Sequence, residues 1–340
     1  MSAADRPGTD AARRNVRGNV RRLLRLPGLA VRLLPALPGV NADCDALAAA
    51  YTGTVAPLLP EGGDPRLADR LLPWAVQGGL LLVRHARLTG HTVDPATAVL
   101  AGAFTRLYDD ALDEHAGPSA ADLVNDWLAA PAAADAPLPG PAPGPGAARA
   151  AASLFRALRA RTDPDRHRTA YAALPALHAA QLASVRLTAN GRDAAGRADA
   201  AALLDASRTK GGLGMLVLGG LVQHAPSAAQ REALLALGAF LQLVDDYQDR
   251  AVDLRAGVMT AATLDALPLR LLHEELDALD RRLTSLYGPR RARPFVDGLT
   301  CWLYLTALAR LVGRGAVPAP ERPVRPPSVP TLFARREVIR

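Results

Sequence analysis

Long stretches rich in alanine and leucine alternate along this chain with short breaks built on proline and glycine. From Asp43 to Leu128 the stretches read as helices, broken near Pro60–Pro65, Gly90–Pro95 and Gly117–Pro118. Proline and glycine end helices that alanine and leucine favour. Residues 129–146, APAAADAPLPGPAPGPGA, form a low-complexity linker or long loop. Helices resume over 147–190, 199–223, 226–255, 260–287 and 291–312. No internal repeat at a solenoid period emerges. The pattern predicts an all-α chain, with one large helical bundle over residues 41–312 interrupted by a surface loop.

Composition sharpens this picture. Apolar residues make up 49% of the 340 positions but aromatics only 4%, and there is one isoleucine, Ile339. That balance favours helices over strands. Cys44 and Cys301 supply neither a disulfide framework nor a zinc pattern and are expected to be reduced thiols. The longest apolar run, Gly211 to Val222, has 12 residues, five of them glycine, well short of the roughly 20 of a membrane span. A cytoplasmic protein is the expectation.

The net charge of +7 sits in the ends: +6 in residues 1–40 and +4 in 313–340, leaving −3 for the body. A body of that sign argues against a nucleic-acid groove as the main function. The arm at 1–40 is expected to be disordered or surface-associated. Its Leu- and Pro-rich part, Leu23 to Val40, carries Arg25 and Arg32 and suits peripheral contact with a membrane surface or an anionic partner. The Pro/Arg-rich tail at 313–340 is expected to be disordered.

The candidate chemistry lies in two carboxylate clusters. Asp109, Asp110, Asp113 and Glu114 end the apolar helix that starts near Pro95. Asp109 and Asp113 share one helix face, with Asp110 about 100° round. The second cluster follows Leu234–Leu241, and its Asp245, Asp249 and Asp253 form a stripe at four-residue spacing, with Asp246 beside it. Like charges at that spacing destabilise a helix by roughly 0.2–0.5 kcal/mol per pair. Both clusters end apolar helices, so they are expected to face a cavity, where crowded carboxylates raise one another's pKa unless a cation joins them. Mg²⁺ suits such a site, because it takes oxygen ligands from one or two carboxylates and from substrate phosphates.

Lys210 is the only lysine among 40 basic residues. It opens the segment Lys210-Gly-Gly-Leu-Gly-Met215 just after Arg208, and offers a compact point charge for an anion. Arg106 and Arg250 stand beside the clusters as phosphate contacts or as partners of their neighbouring carboxylates, and Gln181 and Arg186 are weaker candidates. Phe104, Tyr108, Phe240 and Tyr247 flank the acidic residues, where they can line a cavity and steady a cation. His85, His91, His115 and His178 lack metal-ligand spacing and read as ordinary polar residues.

The two clusters resemble the paired aspartate-rich motifs of the class I isoprenoid synthases. DDxxD stands as Asp109, Asp110 and Asp113, and DDYxD with a further acid as Asp245, Asp246, Asp249 and Asp253. Gly238-Ala-Phe-Leu-Gln-Leu243 is also typical of the second motif's helix. The resemblance covers roughly residues 45–310 in helix order. It implies a bundle around a central apolar cavity, with three Mg²⁺ ions holding the diphosphate of a prenyl substrate. It also implies metal ligation by the seven aspartates and diphosphate contact by a lysine before the second motif, here Lys210 in the order Thr209-Lys210.

Chain-elongating members of that superfamily bind a second diphosphate through basic residues after the first motif and near the N-terminus. Here no arginine follows the first motif before Arg149, residues 41–65 contain no basic residue, and Gly257 is followed by Val258 rather than lysine. The pattern is closer to the bacterial large terpene synthases. The expected activity is magnesium-dependent ionisation of an allylic diphosphate to a cyclic or linear terpene plus diphosphate. A chain-elongating prenyltransferase, a non-catalytic prenyltransferase partner subunit and a membrane or polyanion binder stand as alternatives, and the oligomeric state is left open, with a homodimer among the options.

Overall fold

A computed structural model describes residues 26–59, 67–114, 146–190 and 199–313. Every regular element among them is helical. In chain order these are α1 (Leu26–Leu33), α2 (Leu37–Thr54), α3 (Leu67–Thr89), α4 (Pro95–Glu114), α5 (Gly146–Arg161) and α6 (Arg168–Asn190). There follow α7 (Ala200–Gly220), α8 (Ala228–Ala256), α9 (Leu269–Tyr287) and α10 (Pro289–Gly313). No described helix is long and apolar enough to cross a membrane.

Local chemistry sets the ends of the helices that matter most. Asp94 precedes Pro95 and accepts from the Thr97 backbone N–H at 3.1 Å, starting α4. Asp199 accepts from Ala201 and Ala202 at the start of α7. Ser227 and Gln230 form a reciprocal capping box on α8. Gly257, at φ 70°, ends that helix in the left-handed conformation that glycine adopts without strain.

Two apolar clusters share α7. One gathers Leu47, Leu82, Leu100, Leu107, Leu154 and Leu174 from α2–α6 with Val217 and Leu221 of α7. The other joins Met215 of α7 to Leu237, Phe240, Leu272, Leu276 and Leu303 of α8–α10. The most extensive helix pairing is α7 on α8, followed by α3 on α4 and α6 on α7.

Glycines make the α7–α8 seam. A Cβ at Gly238 would overlap the Gly211 carbonyl oxygen, and one at Gly211 would overlap that of Gly238. A second seam holds α3 to α4, where a Cβ at Gly102 would stand 2.7 Å from the Ala75 carbonyl oxygen.

Several boundaries differ from the sequence reading. The end set for the arm at residue 40 falls inside α2. Residues 26–33 are helical and packed on the body: Leu29 is buried, and Arg32 donates to both oxygens of Asp297 on α10 at 3.0 Å. Leu29 and Arg32 are thus taken up by the body, while Val31 and Leu34 of the same segment stay exposed. The stretch 147–190 is two helices broken at Asp163-Pro164-Asp165. The helix expected from 260 starts at Leu269, because Thr260 and Thr263 cap each other's backbone N–H groups and Asp265 takes φ 57°. The expectations for residues 1–25, for the breaks at Pro60–Pro65 and Gly117–Pro118, for the linker up to 145 and for the tail from 314 lie outside the described residues.

The seam makes a prediction. Gly238→Ala should destabilise the chain by about 1–3 kcal/mol, because backbone cannot yield to the added methyl group. Gly298→Ala, at an exposed α10 site where a Cβ meets nothing within 4 Å, should stabilise by about 0.5–1 kcal/mol. Urea denaturation of the two variants checks the contrast.

Candidate functional site

Three helices wall a narrow apolar crevice. Ala101, Phe104, Thr105 and Tyr108 come from α4, Ala170, Tyr171, Leu174 and Leu177 from α6, and Gly214, Val217, Leu218 and Leu221 from α7, with Phe155 and Leu158 of α5 behind. Each walling helix carries a polar residue at the same end. Asp109 follows Tyr108, Gln181 lies one turn past Leu177, and Lys210 lies one turn before Gly214. The three meet: the Gln181 amide donates to Asp109 Oδ1, and Lys210 Nζ stands 3.7 Å from the same oxygen. The lining of the crevice is apolar, and these three polar side chains group just past one end of it, the polar end or mouth.

α8 brings the second acidic stripe to that mouth. Burial pushes the Asp245 carboxyl up to about 7, with Asp249, Asp246 and, across the mouth, Asp109 adding to the rise and Lys210 opposing it. The Asp249 carboxyl is also raised, first by burial, while Arg106 of α4 opposes the rise and Asp246 adds to it. Asp253 is pushed up to about 6 by burial and by Asp249 and Asp246, against a Thr260 hydrogen bond. Asp109 and Arg106 of α4 thus bear on the α8 stripe, at Asp245 and Asp249.

The α4 side is better compensated. Asp110 accepts from Arg106 at 2.7 Å, and the Arg106 guanidinium lies 4.8 Å from the Trp74 ring centroid. Burial raises Asp110; Arg106 opposes it, Asp109 adds to it, and Arg70 of α3 opposes it. The Asp113 side chain lies outside the described residues.

Several candidates turn away from the mouth. Asp246 is buried and spends both oxygens as a bolt between helices, accepting from Ser207 of α7 at 2.6 Å and from Gln242 at 2.9 Å. Lying about 100° round from Asp245, it faces α7 and stands apart from the proposed ligands. Arg208 pairs with Glu275 of α9 at 2.7 Å and with Asp205, so it braces α7. Arg250 donates to the Ala262 carbonyl at 2.9 Å and to Asp265 at 2.8 Å, tying down the loop before α9. Phe240 is fully buried in the α8–α10 core. Tyr247 lies in the same core beneath Arg310, 4.0 Å from its ring centroid. Only Phe104 and Tyr108 of the four aromatics line the crevice.

Other residues rise in weight. Gln181, 5% exposed, is a principal mouth residue, whereas Arg186 lies exposed farther along α6. His178 is buried and bonds through Nδ1 to the Tyr108 hydroxyl at 2.8 Å. That contact spans 70 positions, and no local spacing signals it. Arg70 entered no motif because it belongs to α3, a different helix from either stripe.

Among the described residues, no group of three or more His, Cys, Asp or Glu side chains stands together as a metal-ligand set. Magnesium asks for less, one or two carboxylates with substrate oxygens and water. Asp245, whose ionisation is disfavoured by burial and by its acidic neighbours, Asp109 among them, fits that need together with Asp109, and a divalent cation would supply the compensation.

A folded carboxyl held above its unfolded value binds its proton longer than the unfolded chain does. Stability therefore falls as pH rises from the unfolded carboxyl range, about 4, through the values of about 6 and 7 held by Asp253 and Asp245. The metal-free protein should lose several degrees of Tm between pH 5 and pH 8. Asp245→Asn should flatten that slope, and millimolar Mg²⁺ should offset it in the parent protein; differential scanning calorimetry across pH reads all three. No protein-family model matches the chain, and neither a curated protein nor a solved structure matches it.

Proposed function

We propose that the chain is a magnesium-dependent class I isoprenoid synthase that ionises an allylic prenyl diphosphate and releases a terpene. The observation that carries this reading is the convergence of Asp109, Gln181 and Lys210 with Asp245 at the mouth of one apolar crevice. Anion-binding and cation-binding groups together over a greasy shaft suit an amphiphile with a charged head and a hydrocarbon tail.

Mg²⁺, held by Asp109, Asp110, Asp245 and Asp249 with the diphosphate's own oxygens, would supply Lewis-acid stabilisation of the leaving group. Lys210 adds a point charge toward the same oxygens as negative charge develops. Gln181 donates to Asp109 and holds its carboxylate in place. Phe104 and Tyr108 line the crevice, where aromatic rings would stabilise a carbocation and help keep water out. The tilted rings of Phe104, Phe155 and Tyr108, with centroids 5.3–5.7 Å apart, form one continuous aromatic wall.

A chain-elongating prenyltransferase is the second reading, and Arg70 favours it. Its charge and that of Arg106 both bear on Asp110, so the outer side of the mouth holds two guanidinium groups. A second diphosphate would need donors of this kind.

Incubation with C10 to C25 allylic diphosphates and Mg²⁺ should release inorganic diphosphate together with a hydrocarbon or alcohol detectable by gas chromatography–mass spectrometry. Elongated diphosphates on adding isopentenyl diphosphate would select the second reading, and no diphosphate release from any substrate would sink both. Asp245→Asn and Lys210→Ala should each lower kcat/KM at least 10²-fold. Lys210→Arg should restore only part of the loss, since a fork-shaped donor replaces a point charge.

A further inference from the structure

We infer that the outer side of α1 is a docking face for an anionic lipid surface, completed by the basic start of α10 and by the arginine-rich segment that leads into α1. This face is separate from the mouth and independent of the synthase reading.

The apolar half is α1 itself. Leu29 is buried and Arg32 donates to both oxygens of Asp297, so these two residues turn one side of the helix toward α10. Val31 lies about 200° round from Leu29, and Leu34, three residues on, returns to the side of Val31. Val31 is 67% exposed and Leu34 57%, the highest values among the exposed large apolar side chains of the described residues. Pro27, Ala30 and Pro35 are exposed around them. Arg32 is the one charged residue from Leu26 to Ala42, and it is spent on the brace to Asp297.

The basic half has two parts. Arg13, Arg14, Arg17, Arg21, Arg22 and Arg25 precede α1, and no acidic residue occurs from Ala11 to Ala42. On α10, Arg293 and Arg290 stand four and seven residues before Asp297, and so on the face that α1 meets. Both are exposed, and among the described residues neither pairs with a carboxylate. Arginines in the first turn of a helix oppose its dipole, a cost that an anionic headgroup would relieve.

A soluble polyanion would account for the arginines but not for a valine and a leucine held out in water. A second copy of the chain, meeting this face with its own, would bring like charges together. An anionic leaflet takes both halves: apolar side chains enter the acyl boundary while guanidinium groups meet phosphates. The face also lies away from the mouth. A Cβ at Gly90, just past the end of α3, would stand 2.8 Å from Arg291 Nη1, whereas Arg70 and Trp74, near the start of α3, border Asp110 and Arg106. Docking therefore leaves the mouth uncovered.

Flotation of the full chain with vesicles of phosphatidylcholine, alone or mixed with phosphatidylserine, tests the face. The parent should bind the mixed vesicles about ten-fold more tightly than the neutral ones. Val31→Ser with Leu34→Ser should weaken that binding about ten-fold and leave heparin binding unchanged. Arg290→Gln with Arg293→Gln should weaken vesicle binding to a similar degree, about ten-fold. All four positions are exposed, and circular dichroism verifies that each variant is folded. Failure of the parent to bind mixed vesicles would overturn the inference. So would full vesicle binding by the serine variant, which would leave only polyanion adhesion, or by the glutamine variant, which would remove α10 from the face. Sedimentation velocity covers the remaining occupant: a parent dimer that the serine variant dissolves would assign the face to a second copy and overturn the lipid assignment.

Discussion

The approach of α7 to α8 without side chains between them is the constraint on which the mouth depends. Gly211 and Gly238 let the backbones touch, and the neighbouring polar residues are consequently forced into register. Ser207 reaches Asp246, and Lys210 comes close enough to influence Asp245. Any bulk at the seam would push α8 outward, weaken the opposition of Asp245 to Asp109, and loosen the crevice wall that α7 provides. The seam is a packing feature, but its consequence is electrostatic: it holds a stripe of carboxylates in a place where burial penalises their charge.

Much of this was legible in the sequence because it is local. An i, i+4 spacing puts Asp245 and Asp249 on one face whatever surrounds the helix, and strongly apolar flanks indicated that the face looks inward. The lone lysine stood out by composition and does lie at the mouth, beside Asp109. The all-helical class followed from alanine and leucine punctuated by proline and glycine. Where helix ends were missed, as at Asp163-Pro164-Asp165 and over 257–268, short side-chain caps and a left-handed Asp265 decided the outcome. Such caps compete with helix in ways that apolar patterning does not register.

What the sequence hid is rotational. Adjacent residues on a helix differ by about 100°, so Asp245 and Asp246 read as one motif while serving different ends. One faces the mouth, and the other bolts α7 to α8. The same turn separates Tyr108, on the crevice, from its neighbour Asp109, on the rim. It also sends Arg250 and Phe240 away from the stripe they flank. Gln181 and His178 sit on α6, about 70 positions from their partners on α4. Their roles come from the packing of the two helices, which no spacing along the chain encodes.

The imbalance across the mouth carries the last step. On the α4 side, Asp110 has Arg106 and Arg70 against it, and Asp109 has Gln181 and Lys210. On the α8 side, the carboxyls of Asp245, Asp249 and Asp253 are all raised, with Lys210 opposing the rise at Asp245, Arg106 at Asp249 and a Thr260 hydrogen bond at Asp253. A fold selected for stability alone would replace one of these acids, since like charges at four-residue spacing in a partly buried helix face only destabilise it. Local choices that contradict the fold's own economy concentrate where function requires them. The strained stripe on α8, opposite a better compensated one on α4, is the feature that the proposed synthase reading accounts for, since a cation would relieve it.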